Sequence, residues 1–335
     1  MTELPSPALL KQLFPIQNAF VHNSRKTARA IASGKDPRLL LIVGPCSIHN
    51  EESVLDYAAK LKKLSEEVSE ACFIVMRAFF EKPRTVHGWN GMLYDPDLDG
   101  SGDISKGLFL TRRLLKHFAD MHLPIACEFL DPIAAPYFSD LITWGIIGAR
   151  TASSPLHRQL VSSLPLPCGF KNNLDGNWQP AIHGILTAKE AFSRMTINDE
   201  GKVCREITTG NSDSYLVLRG SNASINYDLA SIHEALSDLR FHGLPERLMV
   251  DCSHGNSGKQ ADKQIEVFRS VLDYPKEKKE KIFGILLESF LEPGKQLLNA
   301  DKNTLLYGVS VTDPCLDWAS TKHLIEEAAA LSCQS

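Results

Sequence analysis

The sequence predicts an α/β chain folded as a single (β/α)8 barrel. Three observations carry this. Short apolar runs of β type alternate with longer segments of helical period along nearly all 335 residues. The strand-like runs number eight, the count that closes such a barrel. The first strand-to-helix turn reads Gly44-Pro45-Cys46-Ser47. That is not the GxGxxG phosphate loop usual in a doubly wound open sheet, the competing arrangement. The length would also fit two average domains, but α/β barrels of this size are common.

In chain order, residues 1–37 form an N-terminal extension, and 38–335 the barrel. The extension holds a helix, Ser24 to Ser33, placed across the barrel or against a partner. The first strand is Leu39 to Val43. Asn50 then caps a helix running to Leu64, with acidic residues just inside it that suit the helix dipole. The second strand is Phe73 to Arg77, followed by a long polar connection, Phe80 to Ser105, and a helix to about His122. Strands three to five are Ile125–Phe129, Ile146–Ala149 and Cys168–Lys171, with helices near 134–142 and 155–163. Strands six to eight are Tyr215–Arg219, Leu248–Asp251 and Phe283–Leu287, with helices near 229–240, 259–272 and 316–331. The charge run Lys276–Lys281 reads as a solvated connection, and Trp89 between Gly88 and Gly91 as a loop anchor.

Composition excludes several function classes. The chain is 43% hydrophobic and 23% charged, which rules out disorder, collagen and coiled coil. A net charge of -4 with no basic stripe argues against nucleic acid. No apolar run approaches the roughly 20 residues that span a bilayer, so no membrane is expected, and no signal peptide is apparent. Eight scattered cysteines without a CxxC pair suit reduced thiols, hence a cytoplasmic protein.

Active sites of barrels lie at the C-terminal ends of the strands. Cations collect there: Arg77, Lys82, Arg84, Arg150, Lys171 and Arg219. So many positive charges in one mouth call for a polyanion, and phosphate matches the arginine fork. Six exceed the need of one phosphate, which points to two phosphorylated ligands or one that also carries a carboxylate. Cys46, His254, Glu288 and Asp313 fall at the same pole. Thiolate, imidazole and carboxylates together suit one divalent first-row ion (Mn, Fe, Co or Zn) rather than Mg or Ca. Taken singly, Cys46 reads as a buried apolar residue and His254 as a hydrogen-bonded loop histidine. Lys82, among other cations, is expected to have a depressed pKa suited to proton transfer. Glu128 ends strand three at the same pole.

Six stretches carry a resemblance. They are Gly44-Pro45-Cys46-Ser47-Ile48-His49, Arg77 with Phe80-Glu81-Lys82-Pro83-Arg84-Thr85, Gly148-Ala149-Arg150-Thr151, Gly169-Phe170-Lys171-Asn172, Leu218-Arg219-Gly220 and Asp251-Cys252-Ser253-His254. In this order, from about Leu10 to Glu326, the chain resembles the type I 3-deoxy-D-arabino-heptulosonate 7-phosphate (DAHP) synthases. The resemblance implies condensation of phosphoenolpyruvate with erythrose 4-phosphate to DAHP and phosphate, the first step of the shikimate pathway. It implies metal on Cys46, His254, Glu288 and Asp313, and phosphoenolpyruvate on Arg77, Arg150, Lys171 and Arg219. Arg84 and Thr85 would hold the aldose phosphate, Lys82 would sit beside the aldehyde, and Glu128 would help position water. A homo-oligomer, dimer or tetramer, is implied as well.

Some stretches depart from the family pattern. The match starts almost at Met1, so the arm that joins effector pocket and subunit interface in regulated members is expected to be missing or short. Asn90 stands where a lysine is common, so one contact near the phosphoenolpyruvate site is expected to be lost, and Arg194-Met195-Thr196-Ile197-Asn198-Asp199 stand where members carry a Lys-Trp-Gly segment. Feedback control by aromatic amino acids is therefore expected to be weak or altered. Two alternatives stay open: the same chemistry on another phosphorylated aldose, as in octulosonate 8-phosphate synthases, and a non-catalytic regulatory paralogue.

Overall fold

The computed structural model describes residues 2–16, 19–298 and 304–332; Cys333 lies outside them. Helices α1 (Pro7–Leu13) and α2 (Phe20–Ala32) precede strand β1 (Leu39–Gly44). Then follow α3 (Glu51–Glu67), β2 (Cys72–Arg77), α4 (Ile104–Asp120), β3 (Ile125–Glu128), α5 (Ala135–Phe138), β4 (Trp144–Ile147), α6 (Pro155–Ser163) and β5 (Cys168–Lys171). Next come α7 (Gln179–Ala188), a hairpin of β6 (Ser193–Ile197) and β7 (Val203–Ile207), β8 (Ser214–Leu218), α8 (Leu229–Phe241) and β9 (Leu248–Asp251). The chain ends with α9 (Lys263–Leu272), α10 (Lys276–Lys279), β10 (Ile282–Glu288) and α11 (Trp318–Ser332).

Eight strands close in the order β1-β10-β9-β8-β5-β4-β3-β2, every neighbour parallel. The alternation of strand side chains divides the core in two. Leu40, Ile42, Val75, Ala126, Trp144, Ile146, Val217 and Met249 fill the barrel. Their neighbours Leu41, Val43, Ile74, Met76, Ile125 and Leu216 pack outward under the helices. Burial on both faces explains why the strands read as unbroken apolar runs. Helix α2 closes the N-terminal mouth: Ala28, Ile31 and Ala32 pack onto Leu40, Tyr215 and Phe283. Arg25 ties it down by donating to the carbonyls of Ile142 and Ser139 at 2.8 and 2.6 Å. The predicted helix thus lies across the barrel.

Local chemistry sets the helix starts. Asn50 accepts from the Ser53 backbone N–H at 2.8 Å, and Glu51 and Glu52 follow in the first turn of α3. Asp103 does the same for α4 through Lys106 N at 2.9 Å. The charge run lies on the single exposed turn α10 and its exit to β10. Among the described residues no helix is long and apolar enough to cross a membrane.

Helix α1, a short helix ahead of the one expected in the extension, escaped the sequence reading, as did α7 and the β6–β7 hairpin. Helix α7 is short and largely apolar, with Pro180 near its start and Gly184 in its middle, so no polar face marks its period. Gly184 is there because a Cβ would lie 2.7 Å from the Phe170 ring. The β6–β7 hairpin stands off the barrel with strands of mixed polarity, and the period-2 signal of a half-buried strand is lost.

Candidate active site

One cavity of about 300 Å³ opens at the C-terminal pole. Ten predicted residues line it: Arg77, Lys82, Arg84, Thr85, Glu128, Arg150, Lys171, Arg219, His254 and Asp313. Cys46 and Glu288 lie fully or nearly fully buried beside it. The twelve come from all eight barrel strands or the loops that leave them, which is why only a closed sheet brings them together.

At one end of the cavity, Cys46 Sγ and carboxylate oxygens of Glu288 and Asp313 all lie within 4.8 Å of one another. His254 Nε2 is 3.7 Å from Glu288 Oε1. Its other nitrogen, Nδ1, is 3.0 Å from Asp251 Oδ2 and 2.6 Å from Ser253 Oγ. This leaves Nε2 directed at the cluster, the arrangement in which a carboxylate orients a metal-binding histidine. Burial holds His254 below its ordinary pKa despite Asp251, so the ring is neutral at pH 7. Burial, then Glu288, pushes the Cys46 thiol up. One soft sulfur, one imidazole and two carboxylates so placed fit a first-row divalent ion.

The cations divide into two groups. Arg77, 1% exposed, donates to Glu288 Oε1 at 2.8 Å and to the carbonyls of Pro45 and Cys46, with its guanidinium 3.7 Å over the Phe79 ring. Lys171 donates to Asp251 Oδ2 at 2.6 Å. By contrast, among the described residues no carboxylate lies within ion-pair distance of Arg84, Arg150 or Arg219. Arg219 is 3% exposed, and burial lowers its pKa. Arg150 Nε donates to Thr85 Oγ1 at 2.9 Å, linking the loops after β4 and β2. A cavity with three such uncompensated guanidiniums is built for a polyanion.

Lys82 requires a correction. Its Nζ donates to the Cys46 carbonyl at 3.0 Å and sits 3.2 Å from Cys46 Sγ. Burial alone would lower its pKa, but Cys46, Glu288 and Glu128 outweigh that and the repulsion of Arg77. The ammonium is therefore held above its ordinary value, not below it. The sequence reading counted neighbouring cations and missed the anions that fold in from other strands.

Glu128 is 7% exposed, at the end of β3. A Cβ on Gly148 would fall 2.0 Å from its Oε1, so the glycine of the Gly148-Ala149-Arg150 turn makes room for this carboxyl. Sequence reasoning left two residues without a role. Asp251 was visible as a carboxylate ending a strand. Lys259 lines the cavity with Nζ 3.5 Å from Asp313, and its signal is the Gly255 to Gly258 turn that precedes it. Trp89 anchors its loop as expected, donating to the Asp95 carbonyl at 2.8 Å.

Behind Lys82, Glu81 is 2% exposed and accepts from Leu130 N at 3.4 Å and Asp131 N at 3.2 Å. The Tyr94 hydroxyl lies 3.1 Å from both Glu81 Oε1 and Asp131 Oδ2, but has one proton to give. Burial, then Asp131, pushes Glu81 up from 4.5 to about 8. Between those values the folded chain holds a proton that the unfolded chain has lost, so stability falls as pH rises from about 4.5 to about 8. Glu81→Gln mimics the protonated acid. It is expected to flatten the slope of unfolding free energy against pH by about 1.4 kcal/mol per unit in that window. Urea midpoints from pH 5 to 8 check this; parallel slopes for both proteins would refute it.

Residues 15–326 match the DAHP synthetase I family. The chain belongs to that family. Its enzyme class is accordingly 3-deoxy-7-phosphoheptulonate synthase. The chain is 42% identical to the Tyr-sensitive phospho-2-dehydro-3-deoxyheptonate aldolase of Escherichia coli K12, over 97% of this chain and 92% of the relative. It is 40% identical to the Trp-sensitive enzyme of Salmonella typhimurium LT2, over 98% and 94%. The phospho-2-dehydro-3-deoxyheptonate aldolase structure from Francisella tularensis SCHU S4 superposes with a TM-score of 0.95 at 38% identity, covering 99% of this chain and 98% of that one. A DAHP synthase barrel is thus what the alternation of strands and helices encoded.

Proposed function

We propose that this DAHP synthase uses the cavity to condense phosphoenolpyruvate with erythrose 4-phosphate, with a divalent ion held by Cys46, His254, Glu288 and Asp313. The observation that carries the reading is the single cavity in which uncompensated guanidiniums meet a thiol-imidazole-carboxylate cluster. Lys171, Arg219, Arg150 and Arg77 bind phosphoenolpyruvate. Arg84 and Thr85 bind the aldose phosphate, and the Arg150–Thr85 contact sets the spacing between the two substrates. The ion, when bound, supplies Lewis-acid polarisation of the aldehyde.

The enol carbon, C3 of phosphoenolpyruvate, bonds to the aldehyde carbon, and positive charge develops at C2. Lys82 gives a proton to the new alkoxide. Glu128 positions the water that adds at C2, and the proton this water sheds replaces the one Lys82 gave. Cleavage of the bond between C2 and the phosphate oxygen then leaves the ketone, and the departing phosphate takes the hydroxyl proton. Loss of phosphoenolpyruvate absorbance with erythrose 4-phosphate, with and without chelator, tests the reading. Turnover that survives chelation, or that is faster with a pentose phosphate, would overturn it.

We further infer weak or altered feedback, because Arg194 to Asp199, which depart from the family pattern, form strand β6 and the start of the hairpin turn. On one face of that hairpin Met195, Val203 and Ile207 are 83, 77 and 68% exposed, an apolar surface suited to a second copy in a homo-oligomer. In the same assay, tyrosine, tryptophan or phenylalanine is expected to inhibit only weakly. Strong inhibition by any of them would refute the inference.

A further inference from the structure

We propose that Asp251 is a positioning residue that joins the two ends of the cavity, so that metal at one end and phosphoenolpyruvate at the other each tighten binding of the other. This rests on the roles given above to His254 and Lys171. Asp251 ends strand β9 with no exposed surface. Its Oδ2 accepts from Lys171 Nζ at 2.6 Å and lies 3.0 Å from His254 Nδ1. Its Oδ1 accepts from Ser253 N at 3.0 Å and Ser253 Oγ at 2.5 Å. Ser253 Oγ is in turn 2.6 Å from His254 Nδ1. Both routes from the imidazole, direct and through the serine, therefore end on one carboxylate, whose other charged partner is Lys171.

The backbone adds a second reason to assign a positioning role. His254 has a φ of 58°, in the left-handed region that side chains other than glycine seldom adopt. That sparsely populated backbone fixes where the side chain leaves the turn, and the contacts of Nδ1 with Asp251 and Ser253 set the ring direction. The far nitrogen, Nε2, is then fixed 3.7 Å from Glu288 Oε1, facing the ligand cluster.

A carboxylate shared between two donors gives each less than it would give alone. A divalent ion on Nε2 withdraws electron density from the ring and strengthens Nδ1–H as a donor, drawing the charge of Asp251 toward His254. Lys171, 4% exposed and lining the cavity, is then held less tightly by Asp251. Its ammonium turns more fully to an anionic substrate. Linkage makes the effect reciprocal: substrate that draws Lys171 away leaves Asp251 to His254 and favours the metal. Asparagine at 251 keeps the shape but removes the shared charge.

The test measures phosphoenolpyruvate binding by calorimetry, with and without saturating Mn2+, and Mn2+ binding by electron paramagnetic resonance. The wild type is expected to bind phosphoenolpyruvate about 5- to 150-fold tighter with Mn2+ present. In Asp251→Asn, Mn2+ binding weakens by about 10- to 100-fold. Metal-free phosphoenolpyruvate binding stays as tight or tightens, and the gain from Mn2+ shrinks several-fold. An undiminished gain in Asp251→Asn would overturn the proposal. Wild type that does not bind Mn2+, or a Cys46→Ala variant that binds it equally well, would instead overturn the assignment of the metal site. Should Asp251→Asn fail to fold, Ser253→Ala decides, because it cuts only the branch toward the imidazole. It is expected to weaken Mn2+ and reduce the gain while leaving the metal-free phosphoenolpyruvate constant as in wild type. Wild-type values for both Mn2+ affinity and gain would then sink the idea.

Discussion

Cys46→Ala is expected to lower kcat/KM with phosphoenolpyruvate and erythrose 4-phosphate by about a thousandfold or more, which corresponds to roughly 4 kcal/mol of lost transition-state stabilisation. Stability should change by only about 1 kcal/mol, the cost of one buried heavy atom. The reason is that the backbone, not the thiol, carries most of the local structure. The Cys46 carbonyl accepts from Lys82 Nζ and Arg77 Nη2, and its N–H donates to Cys315 Sγ. Alanine keeps all three. Glu288 would be a poorer target: its removal leaves Arg77, 1% exposed, without its carboxylate, and breaking such a buried pair costs about 3–5 kcal/mol. Loss of activity could then be loss of fold. Metal content after Mn2+ loading, a thermal melt and initial rates together check the Cys46 prediction. Near-normal turnover in the variant would show that the thiol is no ligand. Because burial and Glu288 keep the Cys46 thiol protonated at neutral pH, metal uptake must also release its proton and weaken as pH falls.

Most of this architecture was legible in the sequence because barrel strands are buried on both faces. Runs such as Leu39–Val43 and Phe283–Leu287 stand out by apolarity alone, and strand ends then locate the chemistry without further information. Strand boundaries were less secure. The fourth strand was expected at Ile146–Ala149 but runs Trp144–Ile147. Trp144 and Gly145 belong to the pairing with β3 and β5, which only the register reveals. What the sequence could not supply was pairing between distant side chains. It indicated six cations in one mouth but not that Arg77 is matched to Glu288 and Lys171 to Asp251. That omission produced the mistaken direction for the Lys82 pKa. It also hid the role of Asp251, since a carboxylate bridging the loop after its own strand to the end of another strand has no signature along the chain.

Lys82→Ala is expected to cost about 10²- to 10⁴-fold in kcat, the range for removal of a positioned proton donor. Phosphoenolpyruvate binding should largely survive, because Lys171, Arg219 and Arg150 remain in the cavity. The geometry argues for this split. Lys82 Nζ sits 3.2 Å from Cys46 Sγ, at the metal end, where the aldehyde oxygen would be polarised. Its loop continues directly into Arg84 and Thr85, which hold the other substrate's phosphate in the proposed arrangement. The side chain thus lies between the metal end and the loop proposed to hold the aldose phosphate. Removing it also deletes the Nζ contact to the Cys46 carbonyl, so Lys82→Met serves as a control that keeps the apolar stem but not the donor. Both variants should lose kcat together. Calorimetric phosphoenolpyruvate affinity, steady-state rates and the solvent isotope effect on turnover separate the cases. If kcat held while phosphoenolpyruvate affinity collapsed, Lys82 would be a substrate anchor and the alkoxide would take its proton from elsewhere.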